Sequence, residues 1–343
     1  MARKSAAKTK PLNLALQGGG AHGAFTWGVL DRLLEDERLI IEGISGTSAG
    51  AMNAVVLVDG FARGGAQGAR ERLLSFWQAV SRAGMSSPIQ RSPLDILFGN
   101  WSLDHSPALI MSDLMSRVSS PYTLNPLNFN PLQDLIEQEI DFASVRGCPH
   151  IKLFVAATNV HTGKVRVFAT AELTPDVIMA SACIPYLYQA VEIDGVPFWD
   201  GGYMGNPVIF PLFYETGCND VLLVQINPIE RKETPRTSRE IFNRINEITF
   251  NSSLLRELRA IEFVARLVEQ ERLDPKRYKK IRMHRLGGDG ELEQLSASSK
   301  LNAEWAFLTY LRDIGREAAN TWLEERFDDI GVRATIDLKQ IVS

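Results

Sequence analysis

The stretch Leu12-Asn13-Leu14-Ala15-Leu16-Gln17-Gly18-Gly19-Gly20-Ala21-His22-Gly23 decides how this chain folds. Its first five residues are mostly apolar and read as a short buried strand, and the glycines after Gln17 read as a tight turn. Ala24 to Glu37 then places Phe25, Val29, Leu30, Leu33 and Leu34 at helical spacing. A second strand signal near Leu39–Ile44 enters a turn at Ser45-Gly46, and Ala49–Val58 is a helix pattern of small residues suited to close packing on a sheet. Strand, turn and helix occur twice in sixty residues. That order predicts an α/β fold with a parallel sheet covered by helices.

The strand pattern resumes at Ile151–Thr158 and Val165–Ala169, joined through His161-Thr162-Gly163, and again at Val196–Trp199 and Val221–Ile226. Asp194-Gly195 reads as a hairpin turn between two strands, and Asn206 as an oxyanion or substrate contact or, better supported, as a turn cap before Pro207. Residues 82–133 are rich in Ser, Pro and Asn yet hold Met85, Ile89, Leu97, Phe98, Trp101, Tyr122 and Phe129. Such a long, irregular, partly apolar insertion is a candidate lid or substrate-binding cap, or else a plain surface excursion. Beyond Pro228, long charged helices are expected over Ser238–Leu273 and Ala303–Arg326. The expected division is a basic flexible tail (1–11), a sheet domain bearing the chemistry (12–228), and a mainly helical C-terminal region (229–343) packed on it.

Composition narrows the function classes. With 343 residues, 45% hydrophobic and 23% charged, the chain can bury a sizeable core, and global disorder is excluded. A net charge of −4 lacks the basic excess of a nucleic-acid binder, so no nucleic-acid partner is expected. The charge is uneven, with 15 Lys/Arg against 8 Asp/Glu between Arg231 and Arg285. That segment suits anionic lipid headgroups, but Glu240, Glu247, Glu257, Glu262 and Glu269 interrupt it and favour an ordinary salt-bridged face. Its apolar positions, among them Leu254, Leu255, Leu258, Ile261 and Val264, suit packing on the sheet domain or on a partner subunit in a homo-oligomer.

Cys148, Cys183 and Cys218 are far apart, odd in number and without a Cys-x-x-Cys pair. They read as buried reduced thiols of a cytoplasmic protein, with neither a disulfide framework nor a zinc site. Arg3, Lys4, Lys8 and Lys10 precede twenty uncharged residues, which superficially resemble a signal peptide or membrane span. Five glycines with Gln17 and His22 do not suit a hydrocarbon core, and no other segment is apolar enough to span one.

The chemistry concentrates in Gly46-Thr47-Ser48-Ala49-Gly50, between a predicted strand and a predicted helix. A serine hydroxyl is a weak nucleophile unless a neighbouring base activates it. Gly46 and Gly50 remove side chains that would clash in a sharp strand-to-helix turn, so the Ser48 hydroxyl projects at the helix start. Amides of the Gly18-Gly19-Gly20 turn can converge on an anion, as an oxyanion hole does. Gly18, Gly20 and Gly23 also match the dinucleotide fingerprint, but the second strand ends in Ser45-Gly46-Thr47-Ser48 without the ribose-binding acid, and no Gly-Lys-Ser/Thr follows. Two bases for Ser48 stay open on the residues alone. His284, with Asp200, would complete a triad in the α/β-hydrolase order, although Arg282-Met283-His284-Arg285 reads as solvated surface. Asp200, presented by the turn Trp199-Asp200-Gly201-Gly202, would serve as a carboxylate base.

Together, Gly18-Gly19-Gly20-Ala21-His22-Gly23, Gly46-Thr47-Ser48-Ala49-Gly50 and Asp200-Gly201-Gly202 resemble the motifs of the patatin-like phospholipase family. The resemblance runs from about Leu12 to Asn227 and takes in Ala157-Thr158-Asn159, Thr162-Gly163, Ala180-Ser181-Ala182-Cys183-Ile184-Pro185 and Asn206-Pro207. It implies a three-layer α/β/α fold and a lipid acyl hydrolase without metal or other cofactor. For a lipid substrate, peripheral membrane contact is one expected route of access. It also implies a Ser48–Asp200 dyad without histidine and an oxyanion hole of Gly18, Gly19 and Gly20, the last two nearest. The sequence departs from the family pattern at His22, where Arg or Lys is usual and where any helping charge becomes pH-dependent. It departs again at Leu187 and Ala190, in place of Phe and Pro. Two rivals remain: a non-lipid serine esterase using Ser48–Asp200–His284, and a catalytically silent regulatory protein of the same fold.

Overall fold

The computed structural model describes residues 9–274 and 277–342; residues 1–8 of the expected basic tail, and Pro275 and Lys276 of the basic segment, lie outside the described residues. Strand β1 (Lys10–Leu16) leads through the glycine turn into helix α1 (Gly23–Leu34), and β2 (Leu39–Gly46) leads into α2 (Ala49–Met85). Helix α2 extends far past the expected Val58, with a break at Gly64 and Gly65, whose backbone angles are not helical.

The insertion is not irregular. It forms α3 (Pro93–Leu97), α4 (Pro107–Val118) and α5 (Pro121–Leu124), followed by α6 (Pro131–Glu139) and α7 (Phe142–Gly147). Ser92, Ser106, Ser120 and Asn130 stand at the first four N-caps, each followed by proline at the first helical position. That pairing starts a helix because the cap oxygen can take an orphan amide and proline has no amide to leave unpaired.

Strands β3 (Lys152–Asn159) and β4 (Val165–Ala169) form a hairpin that leads to α8 (Pro175–Ser181). A second hairpin joins β5 (Val191–Ile193) to β6 (Val196–Asp200) through Asp194 and Gly195, at φ 52° and 75°, the left-handed pair that a two-residue hairpin needs. Helix α9 (Phe210–Glu215) and β7 (Asp220–Gln225) complete the part expected from the strand pattern. The C-terminal region holds α10 (Ser238–Glu269), α11 (Trp305–Arg326) and α12 (Leu338–Val342), and it also supplies the edge strand β8 (Arg282–Gly287).

All eight strands join one mixed sheet, in which β3, β2, β1, β7 and β8 run parallel in that order. Period-two alternation divides the core in two. Leu12, Leu14 and Leu16 of β1 pack with α1, α2 and α11, while Ala15, with Val221 and Leu223 of β7, packs with α10 and α12. The result is three layers, helices on both faces of a central sheet. Helices α1 and α11 cross at two glycines, since a Cβ on Gly28 would strike the Arg312 carbonyl and one on Gly315 the Phe25 carbonyl. Phe307, Leu308, Leu311, Ala319 and Leu323 of α11 are buried in the same core as α1.

Candidate active site

The site follows from how strand β3 is shared. Its residues 154–158 pair with β4 on one edge. On the other edge β2 pairs only as far as Gly46 opposite Val155, and β6 enters antiparallel with Asp200 opposite Ala157. Two strands therefore end facing each other along one edge, about two residues or roughly 7 Å apart. The chain leaving β2 must turn away sharply, and Ser48, at φ 54° and ψ −124°, makes that turn before α2. A non-glycine residue there is strained, and the surrounding bonds hold it. The Ser48 amide donates to Ser181 Oγ at 2.9 Å, and Thr47 Oγ1 donates to the Gly205 carbonyl at 2.7 Å.

Asp200 is 3% exposed and held at its backbone: its amide donates to the Cys183 carbonyl, and the Asp200 carbonyl accepts from Thr158 Oγ1 at 2.8 Å. The Gly202 amide donates to Asp200 Oδ1 at 2.7 Å. Burial pushes the Asp200 carboxyl up to about 7, against the Gly202 amide and the Ser48 side chain, whose hydrogen bonds favour the ionised form.

The glycine loop lies against Ser48, because a Cβ on Gly18 would stand 2.6 Å from Ser48 Cβ. Its amides are not equivalent. Gly18 N–H, expected among the oxyanion donors, is engaged by Asn206 Oδ1 at 2.6 Å. Gly19 and Gly20 follow at the start of the turn that becomes α1. The loop hangs from a buried polar frame. Gln17 Oε1 accepts from the Ile226 and Asn227 amides at 3.0 and 2.9 Å, and Asn227 Nδ2 donates to the Gly18 carbonyl at 2.7 Å. Lys300 Nζ donates to Asn227 Oδ1 at 2.8 Å. Of the supporting glycines, Gly46 ends β2, Gly50 and Gly23 open α2 and α1, and Gly201 and Gly202 follow Asp200.

Several expectations are corrected. Asn206 is not simply a turn cap: it is buried and clamps the glycine loop. His22 carries no helping charge, because burial, then Lys300 and Arg231, hold its pKa well below the usual histidine value, and Nε2 is bonded to Ser299 Oγ at 2.8 Å. His284 is not solvated surface. It is fully buried in β8, with Nε2 on Asp220 Oδ1 at 3.0 Å and Nδ1 on Thr335 Oγ1 at 3.1 Å. Three strand spacings, about 14 Å, separate β8 from β2, so the His284 ring is spent on a core carboxylate away from Ser48. The sequence patterns do not single out the Ser181 hydroxyl, the frame of Gln17 and Asn227, or Lys300 as parts of the site, although Gln17 and Ser181 lie within the glycine-loop stretch and the Ala180–Pro185 motif.

A cavity of about 560 Å³ opens behind Ile226 and Asn227, lined also by Leu223, Leu258, Leu292 and Ile341. It shares a wall with the glycine loop but includes neither Ser48 nor Asp200. All three cysteines are free and buried. Among the described residues, no group of three or more His, Cys, Asp or Glu side chains is placed to hold a metal ion.

Comparison with known proteins follows the same residues. The family model described as patatin-like phospholipase matches residues 14–213. No curated protein matches. Among solved structures, VipD from Legionella pneumophila is similar at 14% identity and a TM-score of 0.37, over 88% of this chain and 66% of that one. The type III effector protein ExoU is similar at 16% identity and a TM-score of 0.36, over 93% of this chain and 54% of that one. The chain thus spans under two thirds of the length of each, and at these scores neither likeness bears on the site. The family match covers more than half of the chain, from the end of the first strand through the glycine loop, the Ser48 elbow and Asp200. This chain belongs to the patatin-like phospholipase family.

Proposed function

We propose that this protein is a lipid acyl hydrolase of the phospholipase A or lysophospholipase type, acting through a Ser48–Asp200 dyad. One observation carries the reading: the strained Ser48 elbow and the buried Asp200 carboxylate end their strands face to face on one edge of β3. Family membership supports a lipid substrate. In the proposed reaction, Asp200 takes the Ser48 hydroxyl proton as Oγ attacks the ester carbonyl, giving a tetrahedral oxyanion. The amides of Gly19 and Gly20 stabilise that charge, with the Gly18 amide held by Asn206 as part of the frame. Such donors contribute about 3–4 kcal/mol each to the transition state. Asp200 then returns the proton to the departing alcohol, and afterwards takes one from the water that releases the acyl chain. A base whose pKa lies near the working pH is best matched to both transfers, and burial supplies that match at about 7.

The triad alternative loses ground because both ring nitrogens of His284 are engaged in the core. Labelling by a fluorophosphonate probe, followed by hydrolysis of phospholipid, monoacylglycerol and graded p-nitrophenyl esters, tests the reading. Loss of both labelling and turnover in Ser48→Ala, and a steep fall in both in Asp200→Asn, is the expected pattern, because the probe too needs a serine activated by its base. Absence of any labelling of the unmodified protein would favour the silent regulatory alternative.

A further inference from the structure

Helix α4 is amphipathic the wrong way round for a helix resting on a protein. Ile110, Met111, Leu114, Met115 and Val118 share one face and are all exposed, while Leu109 with the polar Ser112, Asp113 and Ser116 is half-buried on the other. None of its residues is fully buried. The surrounding segment continues the pattern, with Leu127 91% exposed and Phe129 67%. Fourteen of the twenty-nine exposed large hydrophobic side chains among the described residues fall between Met85 and Phe129. An apolar patch on that scale marks an interaction surface rather than ordinary exposure.

Two further observations say what covers it. First, the face carries no unpaired charge: Asp113 and Arg117 are the only charged residues from 107 to 130, and they pair with each other at 2.9 Å. Second, the segment that follows the face rests on the strip that leads to Asp200. Tyr122 Oη accepts from the Ala190 amide and Gln189 Nε2 donates to the Asn125 carbonyl, so α5 and the residues after it rest on the segment 183–190. On the same segment, Tyr186 meets Phe242 of α10 with ring centroids 6.0 Å apart. Phe242 belongs to a second exposed stripe, with Ile241, Ile245 and Ile248. The segment begins at Cys183, whose carbonyl accepts from the Asp200 amide. Two apolar banks thus flank one eight-residue strip bonded to Asp200.

We propose that these two banks dock the protein on a lipid bilayer and so hold the Ser48–Asp200 edge at its surface. The proposal rests on the lipid-hydrolase reading above. A second protein seated across both banks would stand between the site and its substrate, whereas a bilayer covers the apolar face and presents the substrate at once. Among the described residues no helix is long and apolar enough to cross a membrane, so the contact is interfacial. Because the α4 bank holds no charge beyond the paired Asp113 and Arg117, docking requires no anionic lipid.

Flotation of the full chain with vesicles of phosphatidylcholine alone tests this. The unmodified protein and Ser48→Ala are expected to float equally, and to remain bound at high salt, since apolar burial is not screened. The triple variant Ile110→Ser/Leu114→Ser/Val118→Ser is expected to lose on the order of a hundredfold in vesicle affinity, with its thermal melting retained. Leu127→Ser/Phe129→Ser, in the loop after α5, gives the same test without altering a helix. Equal flotation of these variants and the unmodified protein overturns the proposal. So does failure of the unmodified protein to float while it hydrolyses a soluble p-nitrophenyl ester, an outcome that leaves the hydrolase reading intact. A dimer in sedimentation equilibrium that the triple variant dissolves, without vesicle binding, overturns it in favour of a second copy on this face. Flotation abolished by the variants in a protein that hydrolyses no ester supports the docking surface and sinks the hydrolase reading.

Discussion

The amide of Gly18 donates to Oδ1 of Asn206 across 2.6 Å, tying the glycine loop to the turn that follows Asp200. Both partners are buried, so neither group has water as a substitute. Asn206→Ala leaves an orphaned amide and loosens the loop beside Ser48. The expected result is a fall in kcat/KM of about a hundredfold and a stability loss of about 1–3 kcal/mol in urea unfolding. Kinetics within a few-fold of the unmodified enzyme would show that the clamp does not position the loop.

The Asp200 carboxyl, raised to about 7 by burial, gives activity and stability opposite pH slopes. General-base action needs the ionised form, so kcat/KM on a soluble ester rises with pH through about 7. The folded state favours the protonated form. Its stabilising contribution is therefore full below the unfolded-state pKa and is lost as pH rises through about 7. Asp200→Asn is expected to reduce kcat by about 10³-fold or more while melting above the unmodified protein at pH 8. A flat pH–rate profile between pH 5 and 8 would exclude Asp200 as the base.

His284 is the buried partner of Asp220, not of Ser48. Although burial pushes the Asp220 carboxyl up, hydrogen bonds from His284, Arg282 and the Gly331 amide outweigh it and hold the group well below the usual carboxylate range. His284→Ala breaks that cluster at the sheet edge and should cost about 3–5 kcal/mol of stability. Hydrolysis at low temperature and fluorophosphonate labelling should stay within a few-fold of normal. Abolished labelling in a variant with intact circular dichroism would restore the triad.

The crossing of α1 and α11 depends on backbone contact at Gly28 and Gly315. A methyl group at Gly28 meets the Arg312 carbonyl, so Gly28→Ala should cost about 1–3 kcal/mol, read as a lowered melting temperature. Truncation after Pro228 removes β8 and α11 together and should yield an insoluble chain. A soluble, active fragment ending there would show that the C-terminal region is dispensable for packing.

Local chemistry made much of this legible. The strand–turn–helix doublet at Leu12–Val58 was readable because period-two burial and turn-forming glycines are properties of neighbouring residues. The Ser-Pro and Asn-Pro helix starts at 92–93, 106–107, 120–121 and 130–131 were equally local, though composition alone made that segment look irregular. β8 has no apolar strand signal because Arg282 and Arg285 break the run, and these side chains are met by Asp220 and Gln225, which only the fold brings near, and by Asp289 four residues on. The sequence by itself determined the strand–turn–helix doublet, the glycine loop and the turn at Ser48. Only the tertiary structure decided that Asp200 faces that elbow, that Asn206 claims the Gly18 amide and that His284 belongs to the core. The reason is that each of these depends on which strand takes which edge of the sheet, a long-range pairing that no local pattern encodes.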